Sequence, residues 1–491
     1  MTARTVYLSL VLAACIAAGT AGCRSAAPPA ADLTDPATAT FGAAPVPHPT
    51  AHLQPDVVIV RGGAKAIRGA SADGQTWTID GSAAGAPDLA VGRVMFMTSR
   101  AVGRVVGIDR RGPDMAVTLV PVRLTEVIKD ADIRIDQELA PGSAIYQEGS
   151  QGQLTVRELA AVDVPQFVPA RWQPPPAGGE QMPEARKLSY KGKVGPFEVE
   201  PYLSMTSRGN TNVNRVGVKI AAGTSSKFEM NGHSGSRGVK FGADVSLYGQ
   251  QLTVHAVMPI SNGTMGPGTT FLINGIERMD VGLLGGVENG TSDNFKVRVE
   301  VPIEVTVPIP PEVTDGVPLA MHFKTKFLVD FGFSGRNSSI TAHGVYSLSG
   351  PIGIQAGKIV EPAMAVVQPM MEGIGGIPVG ISGIVFAFEF RFLVGLGTAD
   401  WQAGPYFKLI SSFGISRGSA LTMVNCTGLT IKVDLGGGVG LQASTPVADF
   451  LKKVLGADAK NKIEFEMLET MKTIVNNTKT QPDSVLCRGA R

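Results

Sequence analysis

Aromatic side chains make up only 6% of this 491-residue chain, which has just 6 histidines, 4 cysteines and 3 tryptophans. With so few histidines and no His-x-His or His-Glu-x-x-His among them, the sequence spells out no metal site. Charge is sparse as well, at 18%, and 44 basic against 42 acidic residues leave a net +2. That balance offers no electrostatic case for binding nucleic acid or an anionic surface. One sparsely charged window has to be weighed as a membrane span. The window from Ile374 to Leu396 carries only Glu389 and Arg391 as charges, yet Gly and Pro interrupt it and its second half alternates. These features favour a core strand over a membrane span. What the chain does have is glycine (60) and proline (33), with 44% hydrophobic residues. Many turns, few long helices and a folded, mainly β body follow, with room for two or three domains.

The chain begins MTARTVYLSLVLAACIAAGTAGC. Arg4, an apolar run from Val6 to Ala18 and a set of small residues stand in the order of a secretory leader over residues 1–22. Its apolar run is short of the ~20 residues that span a bilayer. Thr20, Ala21 and Gly22 lead into Cys23 and resemble the lipobox of bacterial lipoproteins, with Thr20 where that family usually has Leu. The resemblance implies that Cys23 becomes the acylated first residue of the mature chain. Arg24 stands where an Asp favours inner-membrane retention in proteobacterial lipoproteins, so the resemblance leans toward the outer membrane. A plain leader cut near Gly22, giving a soluble periplasmic or secreted protein, is the alternative. Cysteine counting fits lipidation. With Cys15 removed and Cys23 committed to lipid, Cys426 and Cys487 remain as an even pair, expected to form one disulfide in an oxidising compartment.

Composition then divides the rest. Residues 23–54, rich in Ala, Pro and Thr, read as a disordered tether in which His48 and His52 are solvated. Residues 55–162 read as a small β domain, its short apolar runs separated by Asp73-Gly74, Asp80-Gly81 and Arg111-Gly112-Pro113, with a short helical turn between Leu124 and Ile133. A Pro-rich linker is expected at 163–185. From 186 to 445 the pattern is that of a large antiparallel sandwich or barrel-like domain. Phe295, Val297, Val299, Val301, Ile303, Val305, Val307 and Ile309 alternate with polar residues and prolines, and a second run from Val317 to Phe333 repeats the rhythm. The two predict a hairpin, and Pro302 and Pro308 put its first arm at an edge or at bulges. Further strands are expected at 195–206, 213–221, 239–247, 250–258, 339–348, 384–392 and 405–416. Residues 446–491 read as helical, one helix from Thr445-Pro446 to Gly456 and a second through Met467, Leu468, Met471, Ile474 and Val475.

Candidates for chemistry are weak. Gly232-His233-Ser234-Gly235-Ser236 approaches the G-x-S-x-G elbow, which needs glycines where a strand turns sharply into a helix. Its last position is Ser236, and the residues that follow read as strand, so a polar hairpin turn explains it better than a catalytic Ser234. His322 and His255 fall at polar positions of strands and read as exposed. Gly436–Gly440 lacks the Lys and Ser/Thr of a phosphate loop, and bending or bulging of a strand is the better account. No cofactor is expected.

The segments VGRVMFMTSRAVGRVVGIDRRGPDMAVTLVPVRLTEVIKDADI, VEVPIEVTVPIPPEVTDGVPLAMHFKTKFLVDFGFSG and GLTIKVDLGGGVGLQA resemble a diffuse set of secreted, β-rich bacterial proteins with no assigned function. That resemblance implies export and β architecture and carries over no functional residue. The expectation is an envelope lipoprotein that binds a ligand, possible hydrophobic ones included, or an envelope protein without catalysis. A secreted hydrolase and a structural or adhesion component are the alternatives.

Overall fold

A computed structural model describes residues 35–46, 48–71, 74–138, 145–147, 187–189, 192–194, 197–208, 211–222, 228–230, 233–235, 238–288, 295–309, 311, 314–333, 338–370, 381–398, 401–420, 424–443 and 466–481. Among them strands dominate, as the glycine, proline and alternation patterns required. The leader, Cys23 and the expected linker at 163–185 lie outside the described residues.

The N-terminal unit is a six-stranded sheet of β1 (Val57–Ile59), β2 (Ile67–Ala70), β3 (Thr76–Asp80), β4 (Val94–Phe96), β5 (Val102–Arg111) and β6 (Asp114–Val120), in the order β1-β4-β5-β6-β3-β2. Trp77, Ile79, Met95, Met97, Val105, Met115 and Val117 form its core. The expected tether ends sooner than its composition suggested. Residues 36–41 form a short helix whose N-cap is Asp35; the carboxylate accepts from Thr38 N at 3.3 Å and Thr38 Oγ1 at 3.0 Å. An Asp before a Pro at the first helical position is a start signal that the Ala/Pro/Thr background hid. Beyond it Ala43 is buried, Ser99 N donates to Ala43 O, and His52–Leu53 pair with Asp130 and Ile128. His48 is exposed, as expected.

The large unit is a sandwich. Its first sheet contains β7 (Ile128–Glu138), β8 (Phe197–Arg208), β9 (Thr211–Ala222), β10 (Gly238–Ser261), β11 (Thr270–Glu288), β14 (Ser338–Ser349), β15 (Ile352–Gln355), β16 (Lys358–Val360) and β17 (Ala363–Gln368). The second contains β12 (Phe295–Pro308), β13 (Ala320–Phe333), β18 (Ile381–Gly397), β19 (Trp401–Ala420), β20 (Val424–Ala443) and β21 (Glu466–Gln481), in the order β21-β20-β19-β18-β13-β12. Every pairing within the second sheet is antiparallel. Buried residues of both sheets, among them Phe271, Ile354, Met279, Phe392, Phe407 and Leu435, belong to one continuous apolar layer.

The predicted hairpin is present, running in register from Phe295 opposite Phe333 to Pro308 opposite Ala320. On its far side, among the described residues, β12 meets Ile145–Gln147, opposite Glu304–Thr306, and Pro302 and Pro308 fall outside that short ladder. The strands expected at 239–247 and 250–258 are one strand, β10, with its register broken between Gly249 and Thr253 and Gln251 at φ +49°. Below the break β10 pairs with β9; above it, with β7.

The helical C-terminus is corrected. Met467, Met471 and Val475 stand on β21, which pairs with β20 from Gly440–Glu466 to Thr427–Gln481. A short apolar run fits both periods, and here the open edge of a large sheet, together with β-branched Thr470, Thr473, Ile474 and Val475, decides for strand. The helix expected from Thr445 to Gly456 lies outside the described residues. The turn between Leu124 and Ile133 is corrected too. Only Leu124–Val127 is helical, and the chain then enters β7.

Candidate functional site

Ser234 stands on a short strand, His233–Gly235, that pairs with Phe228–Met230 and sets Ser234 opposite Glu229. The next described element is β10, a strand, so the strand-to-helix elbow that would raise a nucleophile is not formed. Gly436–Gly440 lie within β20, whose register against β21 shifts between Gly437 and Val439. Gly437 serves close packing, because a Cβ there would overlap Ile354 Cγ2 from the facing sheet. His255, half-buried on β10, lies between Asp136 of β7 and Leu272 of β11. No group of three or more His, Cys, Asp or Glu residues able to hold a metal occurs among the described residues. Among those residues, too, no helix is long and apolar enough to cross a membrane.

His322 corrects the alternation argument, being 2% exposed. Its side of the second sheet reads polar along β13, but across the sheet it lies in register with Leu393 of β18, itself opposite Tyr406 of β19. All three are buried, so at this end both faces of the sheet are covered. Arg391, two residues from Leu393, is buried with its guanidinium carbon 4.8 Å from the centre of the Tyr406 ring and its Nε 3.4 Å from Glu389 Oε1. The flat cation is thus held by an aromatic face and a carboxylate together. A one-strand pattern cannot reveal that this face, too, is covered.

Between the sheets the lining is apolar and aromatic. Phe407 meets Phe271 across the gap, ring centres 5.3 Å apart, and stacks on Phe392 at 4.8 Å. Two hydroxyls sit in this layer. Ser411 is fully buried and donates to Met279 Sδ at 3.8 Å, a weak acceptor. Tyr346, in register with Met279, is 2% exposed, and its Oη finds no hydrogen-bond partner among the described residues. Burial pushes the phenol up to about 12, so it is protonated at neutral pH. Neither hydroxyl carries a sequence signal; both look like ordinary strand positions.

Cys426 is buried on β20, opposite Gly418. Thr427 beside it faces Gln481, the last residue of β21, and Cys487 follows a few residues later, outside the described residues.

Fold and lining together define a two-part, mainly β protein whose larger part is a long-stranded sandwich with an aromatic interior. Residues 197–471, more than half of the chain, match the family described as Domain of unknown function (DUF8402), and the chain belongs to that family. Residues 37–130 match a second model, Domain of unknown function (DUF8403), which covers the six-stranded sheet and the segment that packs onto it. No curated protein and no solved structure matches the chain.

Proposed function

We propose that this protein is an exported lipoprotein of the cell envelope that binds a hydrophobic ligand, or an envelope partner, through its large β sandwich. Anchoring rests on the leader and on Cys23 after its small residues. The observation that carries the binding reading is the continuous apolar layer between two sheets of long strands, up to 24 residues in β10. Concave, mostly apolar interiors with a few placed polar groups are the usual form of small-molecule sites. The outer membrane is the favoured address, because Arg24 and not Asp follows Cys23.

Two measurements test this reading. Cys23→Ser is expected to move the protein from the membrane fraction to the soluble fraction and to remove the acyl mass from the N-terminal peptide. An unchanged membrane fraction would sink the anchor. An organic extract of the purified chain is expected to yield a bound lipid at near-stoichiometric amount; an extract with none, together with no tight partner, would count against binding.

The Cys426–Cys487 disulfide belongs to the same reading, since an exported chain meets an oxidising compartment. Its support is the register that brings the end of β21 next to Cys426. Such a bridge closes a loop of about 60 residues and contributes ~2–4 kcal/mol. Cys487→Ser is therefore expected to lower the denaturation midpoint and leave one thiol that reacts after unfolding. An unchanged midpoint would argue that the two cysteines stay apart.

A further inference from the structure

We infer that the Tyr346 hydroxyl is the polar anchor of the inter-sheet site, donating a hydrogen bond to an oxygen of an acyl ligand, a carboxylate or ester carbonyl. This inference rests on the reading that the sandwich takes a hydrophobic ligand, and it names that ligand's polar end. Tyr346 lies on β14 in the apolar layer shared by both sheets. A buried tyrosine is normally placed so that its hydroxyl meets a partner, and a buried donor without one is left with its desolvation cost uncompensated. Here phenylalanine would fill the same volume without that cost. Among the described residues the hydroxyl meets no acceptor, and it stands 2.9 Å from where a Cβ on Gly344 would be. The missing side chain at Gly344 therefore gives the phenol its place, turned back along β14 toward Ala342 and away from Leu348. Met370, fully buried, is the other close neighbour of that position.

Ser411 strengthens the assignment. It is fully buried on the facing sheet, and the acceptor it uses is the sulfur of Met279, the register partner of Tyr346. Two hydroxyls thus flank one methionine in an otherwise apolar layer, the first without an acceptor and the second on a poor one. Being protonated at neutral pH, the phenol is a donor, which selects an oxygen acceptor on the ligand. The apolar walls select a hydrocarbon body behind it. An acyl chain ending in a carboxylate or ester has both.

The test uses the purified full chain and cis-parinaric acid, a fluorescent fatty acid, with Tyr346→Phe and Ser411→Ala as variants. Wild type is expected to bind the probe saturably, and Tyr346→Phe to bind at least tenfold more weakly while its melting temperature stays the same or rises. Ser411→Ala is expected to weaken binding less. Equal affinity in wild type and Tyr346→Phe would overturn the anchor and leave the hydrophobic-ligand reading standing. No saturable binding by wild type would overturn both. A marked drop in melting temperature for Tyr346→Phe would show that the hydroxyl has a structural role and overturn the assignment by a separate route.

Discussion

Phe407→Ala is expected to destabilise the chain by about 3–5 kcal/mol, the range for truncating a fully buried aromatic. Phe407 is fully buried and sits where the two sheets press together, against Phe271 of the first and Phe392 of the second. The loss combines the transfer term of the ring, two aromatic contacts and a cavity that neighbouring strands cannot collapse into, because both are pinned by long ladders. Denaturant unfolding followed by tryptophan fluorescence would measure it. Trp401, on the same strand, and Trp77, in the six-stranded sheet, report on different parts of the molecule. A loss below about 1 kcal/mol would mean that the sheets do not depend on each other here.

The second large effect runs in the opposite sense, through overfilling. At Gly437 of β20 a methyl group would overlap Ile354 Cγ2 on β15 and approach Tyr406 O to 3.3 Å. Gly437→Val is expected to cost about 1–3 kcal/mol from forced displacement of the two sheets. The diagnostic is its repair. Ile354→Ala alone should destabilise by creating a cavity, yet in the double variant the two costs should partly cancel, with a coupling of about 0.5–3 kcal/mol. Additive losses would place the strain of Gly437→Val elsewhere, in β20's own backbone or against Tyr406.

These two positions show how far the sequence could be read. Alternation over Phe295–Ile309 and Val317–Phe333 predicted the edge hairpin nearly residue for residue, since side chains of a strand pointing to opposite faces leave a rhythm that survives in one dimension. Edge placement of Pro302 and Pro308 followed from chemistry alone. The rhythm could not say what lies against each face. His322 read as wet because Ala320 and Lys324 flank it, yet it is dry, as are Leu393 and Tyr406 in the same row across the sheet. At β21 a short apolar run satisfied both helical and strand spacing, and only a partner with an open edge chose between them. In the helix after Asp35 the cap was written in the sequence but masked by composition. The hydroxyls of Tyr346 and Ser411 were invisible for a further reason: a serine or tyrosine on a strand becomes informative only when the acceptors around it are known.

One feature of the fold bears on the order in which the chain can fold. After β6 the chain passes through the turn of helix at Leu124–Val127 into β7, a strand of the sandwich whose residues 131–138 pair with the far half of β10. That partner is synthesised much later than β7 itself. As the polypeptide emerges from N to C, the N-terminal sheet can close at once and the start of β7 can pair with His52–Leu53, whereas residues 131–138 wait until residues 253–260 arrive. Long-range pairings of this kind slow folding and lay bare sticky strand edges in the interval. A nascent chain stalled between residues 138 and 253 should accordingly be the form most in need of a chaperone, and a cut placed after residue 138 would separate β7 from the partner it needs in β10.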